Sequence, residues 1–204
     1  MNTLNPPMQR SRRPSWVRKL ATVGIAVTAL TTAGCNKAQG PQAELWDLWD
    51  KDAFLGPVVG WQQLAEFLPA NMEGFAADTE PEGDTVHFSK TAVSEAFRQY
   101  RDDEATLVVT IIDTARSPMA RAPFLYAEME AVESSDGYQR TARIADNPAV
   151  VDWSVSAKRS VARILVAKRY LVWVEIEGAS FSEQAEEVAS KLNLGRLASL
   201  PAKG

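Results

Sequence analysis

The sequence predicts an α+β fold: a single domain in which an antiparallel sheet of about five or six strands carries helices on one face. Alternating or β-branched apolar runs recur between residues 93 and 177, and apolar residues at helical spacing lie before, between and after them. The 204 residues are 46% hydrophobic and 24% charged. Such a composition is typical of a globular protein and excludes collagen-like and wholly disordered classes.

The first half of this domain is predicted to contain one helix and two strands. Pro57 begins the helix and Pro69 ends it. Residues 76–84 are rich in turn-forming and acidic residues, so we expect a solvated loop there. Residues 93–100 alternate in polarity as a half-buried strand does, and residues 106–113 are β-branched and apolar, as in a central strand.

The second half is predicted to contain a helix, a meander and a final helix. The helix begins at Pro123, includes Val132 on its apolar face and ends at Asp136-Gly137. The last helix begins at Ser180, which has capping-box spacing to Glu183, and Gly195 suits the turn after it. Between them we expect three or four antiparallel strands with Lys-Arg pairs at two hairpin turns, within residues 138–144, 149–156, 160–167 and 170–177.

The amino terminus differs in charge from the rest of the chain. The first 35 residues hold five basic residues and no acidic one, although the whole chain has a net charge of −4. The remainder therefore holds 17 basic and 26 acidic residues and carries −9. Such an acidic remainder gives no basic surface for nucleic acid and is repelled by anionic lipid.

A short apolar segment follows the basic residues and leads to the only cysteine. Leu20–Leu30 is about half the length needed to span a bilayer, and Thr31-Thr32-Ala33-Gly34-Cys35 follows it. This arrangement resembles the lipobox signal of bacterial lipoproteins, although Thr32 stands where that family usually has Leu. The resemblance implies cleavage between Gly34 and Cys35, acylation of Cys35, and an envelope protein anchored to a membrane by several acyl chains.

Residues around this segment bear on the export route and on the target membrane. Ser11-Arg12-Arg13 resembles the start of a twin-arginine signal, but Pro14-Ser15-Trp16 does not fit the apolar residues that should follow, so the route is open between this pathway and general secretion. The lipoprotein resemblance implies sorting by the next residue. There Asn36, in place of Asp, favours the outer membrane facing the periplasm.

The domain organisation follows from these segments. Residues 1–34 are a cleaved signal peptide, 35–56 a lipid-anchored linker and 57–204 the α+β domain. The linker contains Trp46 and Trp49 among acidic residues, and these tryptophans are either a docking motif for a partner or pack onto the domain.

Few residues offer catalytic or metal-binding chemistry. His87 is the only histidine and Cys35 the only cysteine, which excludes disulfide scaffolds and multi-cysteine or multi-histidine metal sites. No nucleophile elbow accompanies His87, so we expect an ordinary histidine there. The alternating acids within residues 76–84 lack an EF-hand pattern, so a plain acidic loop is favoured over calcium binding.

The expected function is therefore a non-enzymatic envelope binding or accessory protein without metal or cofactor. Its expected partners are the membrane, through Cys35, and another envelope protein or a small ligand. Trp153 and Trp173 either shape a groove on a shared sheet face or fill the core. Alternatives are a hydrolase or transferase that uses only carboxylates, and an assembly factor that docks through Trp46 and Trp49.

Overall fold

A computed structural model describes residues 55–72, 74–87, 91–117, 121 and 131–200. All of them belong to one of two compact units, Lys37–Gly204, whereas the other unit, Met1–Asn36, lies outside the described residues. The described residues form one antiparallel sheet of ten strands with three short helices. The prediction of an α+β fold with five or six strands is therefore wrong, because strands dominate and extend to both edges of a wider sheet.

Most strands belong to the centre of this sheet and are eight to ten residues long. Four shorter segments extend its edges. The strands are β1 (Asn71–Met72), β2 (Phe75–Ala77), β3 (Glu82–His87), β4 (Ala92–Arg101), β5 (Thr106–Asp113), β6 (Val132–Ser134), β7 (Gly137–Ile144), β8 (Asn147–Ser154), β9 (Arg159–Val166) and β10 (Tyr170–Glu177).

The strand order across the sheet is β1-β2-β4-β5-β10-β9-β8-β7-β6, and β3 also pairs with β4. β5 and β10 form the centre, where Val109 lies opposite Val174. β2 and β3 follow one another along the same side of β4, where Ala77 lies opposite Tyr100 and Glu82 opposite Phe97. The meander from β7 to β10 confirms the four predicted runs within one or two residues at their ends.

The helices are α1 (Trp61–Ala65), α2 (Gln184–Ser190) and α3 (Leu194–Ala198). Their buried residues, among them Leu64, Val188 and Leu197, join one hydrophobic cluster with residues of the central strands such as Val109 and Ile164. All three helices thus cover one face of the sheet, here called the helix face. The opposite face, here called the outer face, carries the side chains that alternate with the helix-face ones along each strand.

The helix predicted from Pro123 to Asp136-Gly137 is wrong over its described end, because pairing across the sheet overrides the local pattern. Val132, predicted on the apolar face of a helix, belongs to β6. Asp136, predicted with Gly137 to end that helix, lies in the turn Ser135-Asp136, and Gly137 begins β7. Gly137 has φ +144°, and a Cβ there would lie 1.9 Å from the Trp153 carbonyl oxygen, so only glycine fits. The remainder of that predicted helix, residues 122–130, lies outside the described residues.

The other helices are shorter than predicted. Pro57 lies in a bend, and α1 begins only at Trp61, after the extended N-cap residue Gly60. The final helix begins at Gln184, not at Ser180, because the Ser180 amide donates to the Gln184 side chain in place of the predicted capping box. Gly195 lies inside α3, whose N-cap Asn193 accepts the Arg196 amide.

A buried ion pair fixes the start of the described chain to the centre of the sheet. Asp113 is 0% exposed and Arg169 is 6% exposed. Arg169 Nε donates to Asp113 Oδ1 at 2.9 Å, and its Nη2 donates to Oδ2 at 2.7 Å. The same guanidinium donates to the carbonyl oxygens of Leu55 and Pro57, and the Val59 amide donates to Asp113. We call these five residues the anchor clamp.

Candidate functional site

The residues predicted to carry lipid attachment and docking, Gly34, Cys35, Trp46 and Trp49, lie outside the described residues. Their roles therefore stay predictions. Among the described residues no helix is both long and apolar enough to cross a membrane.

The tryptophans of the sheet do not form a shared groove. Trp153 lies on the helix face opposite Ser160 and packs against the main cluster. Trp173 lies on the outer face opposite Thr110 and Arg163. The hypothesis that they line one sheet face is wrong. Arg163, opposite Trp173, pairs with Val150 of β8, three residues from Trp153, and an odd separation along a strand places two side chains on opposite faces.

His87 and the acidic residues before it lie at a sheet edge. His87 is the exposed last residue of β3. Glu82 and Asp84, predicted in a loop, belong to the same strand. Asp78 accepts from the Gln99 side chain and pairs with Arg101 at 3.3 Å, so it is held apart from them. In the described part of the chain no group of three or more histidine, cysteine, aspartate or glutamate residues could hold a metal ion.

A band of paired polar side chains crosses the outer face from β7 to β10. Asp152 of β8 accepts the Gln139 side-chain amide at 2.6 Å and pairs with Arg163 of β9. The Arg163 guanidinium also lies 5.9 Å from the centre of the Trp173 ring. Asp152 therefore links three strands, because carboxylates accept several charge-assisted hydrogen bonds at once.

One end of this band opens into a pocket of about 360 Å³. The pocket is a shallow depression that is largely open to solvent. Its lining includes Asp152, Ser154 and Arg159, whose side chains lie on the outer face, and also Tyr138 and Trp153. The register explains the gathering, because Ser154 lies opposite both Gly137 and Arg159 across neighbouring strands. We call it the β6–β9 pocket.

The charges of this pocket are neutralised only in part. The Arg159 Nε donates to Glu175, while the side chain of Arg159 stays 38% exposed. Asp136 accepts from the Ser156 amide at 3.1 Å and the Ser154 hydroxyl at 3.3 Å. Hydrogen bonds from Ser156 lower the pKa of Asp136, so this carboxylate is ionised at neutral pH. The pocket thus presents a partly exposed guanidinium beside hydroxyls and two carboxylates.

Glu95, on the outer face of β4, also has a perturbed pKa. Glu95 lies opposite Asp84 on β3 and opposite Ile112 on β5. Burial, and secondarily the charge of Asp84, raises its pKa to about 7. Since the ordinary pKa is 4.5, between pH 4.5 and 7 the folded chain keeps a proton on Glu95 that the unfolded chain has released. Folding is therefore weakened by this group as the pH rises from 4.5 towards 7.

The sequence revealed some of these features and concealed others. Alternation in residues 149–156 already placed Asp152 and Ser154 on the same face. It could not show that Gln139 and Arg163 meet Asp152, because that depends on the register of two hairpins. Glu95 sits in a strand that the sequence predicted, but its burial depends on the neighbouring strands.

The comparisons add no relative: no protein-family model, no curated protein and no solved structure matches this chain.

Proposed function

We propose that this protein is a lipid-anchored accessory protein of the bacterial envelope that binds a small polar ligand. The observation that carries the anchoring is the order of basic residues, short apolar segment and Ala33-Gly34-Cys35. A thiolate is a strong nucleophile and suits the transfer of a lipid group to sulfur. Asn36 supports placement on the outer membrane, facing the periplasm.

The binding role is supported by the β6–β9 pocket. The exposed part of the Arg159 guanidinium offers donors, and the Ser154 and Ser134 hydroxyls offer both donors and acceptors. Val132, which is 52% exposed, adds apolar surface. Such a mixture suits a ligand that accepts hydrogen bonds at one end and has a flat or apolar portion.

Mass spectrometry of the full-length protein from a bacterial membrane fraction tests the anchoring. We expect the loss of residues 1–34 and the added mass of acyl chains on Cys35. Cys35→Ser, the matched control, should retain the signal peptide and carry no lipid. An unlipidated mature wild-type chain would refute the anchor.

Native mass spectrometry of the same preparation tests the binding role. We expect a non-covalent mass that Arg159→Gln loses and Arg143→Gln keeps. Arg143 is the matched control because it is an exposed arginine on β7 outside the β6–β9 pocket. A bound mass retained by both variants would place the ligand elsewhere.

A second candidate function is a hydrolase that uses carboxylates. It is favoured by Glu95, whose raised pKa of about 7 suits a general acid, with the Asp84 carboxylate opposite it. Glu95→Gln should then abolish turnover of a glycoside or ester panel by the purified chain. Turnover by wild type that survives this substitution would remove Glu95 from the reaction.

A further inference from the structure

Among the described residues, the strand β3 forms an open edge of the sheet. It pairs with β4 along all six residues, and no backbone hydrogen bond joins it to any other described segment. Glu82, Asp84, Val86 and His87 are exposed, with Val86 46% exposed. An edge of this length is a template for adding another strand.

The register shows which backbone groups of β3 face outward. The backbone groups of Gln99 on β4 point towards the side of β4 where β3 lies. The Gln99 carbonyl oxygen accepts the Asp78 amide, and the Gln99 amide donates to the Thr79 hydroxyl. Because backbone groups alternate in direction along a strand, those of Phe97 and Glu95 point the same way as those of Gln99. The backbone N–H and C=O groups of Glu82 and Asp84, which lie opposite them on β3, therefore point towards β4. The N–H and C=O groups of the intervening residues, Gly83 and Thr85, therefore point away from the sheet.

Two of the three outer-face side chains of β3 are acidic, and in the described part of the chain no positive side chain pairs with them. Glu82 and Asp84 lie on this face, and the half-buried Glu95 lies behind Asp84 on β4. None of the three carboxylates is within an ion pair in the described part of the chain. Phe97, opposite Glu82, adds a half-buried aromatic ring, and Val86 extends the stripe with an exposed apolar side chain.

The helix-face side of β3 is held rigidly. Thr85 Oγ1 accepts the Trp61 amide at 3.2 Å and shares a 2.9 Å hydrogen bond with Ser94, which is fully buried. A Cβ on Gly83 would lie 3.0 Å from the Trp61 Cβ. The edge is therefore held in its extended form by α1, which lowers the entropic cost of adding a strand to it.

We propose that β3 binds an extended segment of a partner protein that carries lysine or arginine at alternate positions. Its backbone would pair with Gly83 and Thr85, and two of its basic side chains would lie beside Glu82 and Asp84 on the outer face. Side chains directly opposite one another on paired strands lie about 4.5–5.5 Å apart at Cβ, within reach of an ion pair. A third alternate side chain, beside Val86, would be apolar.

Charge decides between this partner and a second copy of the chain. Two β3 edges pairing with each other would bring Glu82 and Asp84 of one copy beside the same residues of the other. Like charges directly opposite destabilise a strand pair, whereas basic side chains would neutralise the stripe. This edge lies at the opposite end of the sheet from the β6–β9 pocket, so the two binding proposals fail or succeed independently.

Fluorescence anisotropy with the full-length chain tests the proposal. The probe is a labelled peptide that repeats Val-Thr-Lys-Thr-Lys, compared with one in which glutamate replaces every lysine. A third peptide keeps the lysines but carries N-methyl groups on the threonine amides, which cannot donate to Gly83 and Thr85. We expect only the unmethylated basic peptide to bind, with Kd weakened about tenfold or more in the other two.

A charge-reversed protein supplies the second arm. Glu82→Lys with Asp84→Lys should lose the basic peptide and bind the glutamate peptide instead. Asp103→Lys with Glu104→Lys makes the same change of net charge in the turn between β4 and β5 and should leave Kd unchanged. Equal binding of the N-methylated peptide, or equal weakening by both protein variants, would overturn the proposal, as would no binding of the basic peptide to wild type.

Discussion

Replacing Asp113 by asparagine removes the buried negative charge of the anchor clamp and preserves the side-chain volume. The Asp113 carboxylate accepts four hydrogen bonds, from Val59, from Ala115 and two from Arg169. An amide in its place keeps one acceptor oxygen and turns an NH₂ group towards donors. Removing one partner of a buried ion pair costs about 3–5 kcal/mol, so the free energy of unfolding should fall by about that amount.

The expected loss of stability is large because both Asp113 and Arg169 are buried. Arg169 is 6% exposed, so its charge would stay in a site with little water. Burial by itself lowers the pKa of Arg169, but the hydrogen bonds and charge of Asp113 outweigh it and hold that pKa above the ordinary value. Without the Asp113 carboxylate, the Arg169 guanidinium would still carry its charge, and the free-energy cost of burying that charge would no longer be offset.

Urea unfolding monitored by tryptophan fluorescence measures the effect. Arg159→Met is the matched control, because it breaks the half-exposed pair with Glu175 and should cost less than about 1 kcal/mol. A double variant, Asp113→Leu with Arg169→Met, should cost less than the sum of its single substitutions by about 2 kcal/mol. A loss in Asp113→Asn no larger than that of the control would refute the clamp as a source of stability.

Three further substitutions test other features of the fold. Glu95→Gln should raise the free energy of unfolding by about 2 kcal/mol at pH 8 and leave it unchanged at pH 4, because only the deprotonated wild-type carboxylate is penalised by burial. Urea unfolding midpoints measured across this pH range test this expectation, and a difference that does not depend on pH would contradict it. Gly137→Ala should lower stability by about 2 kcal/mol or more, since its Cβ meets the Trp153 carbonyl; an unchanged thermal midpoint would show that the turn adapts. Ala145→Gly should raise stability by about 1 kcal/mol, since Ala145 has φ 47° in the β7–β8 turn; the same scan measures it, and Ala149→Gly in β8 is the destabilised control.

The predictable strands were those whose pattern is local. The meander from β7 to β10 alternates in polarity or is continuously apolar, and its turns separate the runs clearly. β3 was missed because Glu82, Gly83 and Asp84 have low strand propensity. Their strand conformation depends on pairing with β4, which the order of residues within the segment does not reveal.

Long-range contacts explain what else escaped prediction. Asp113 ends a predicted strand and Arg169 lies in a predicted turn, 56 residues away along the chain. Nothing near either residue indicates a partner, and their pairing follows only once β5 and β10 are neighbours. The lipid-attachment site is the opposite case, since its whole sequence pattern lies within residues 10–35. It stays a prediction, which mass spectrometry of the mature protein can test.

The anchor clamp also determines how the sheet would bear tension. Leu55 bonds through its amide to Ala115 and through its carbonyl to Arg169, so a pull on the chain before it reaches the ends of β5 and β10 first. These are the two central strands, so a load applied there along the strand direction would act in shear on many hydrogen bonds to their neighbours together. An attachment at an edge strand would instead be unzipped one hydrogen bond at a time.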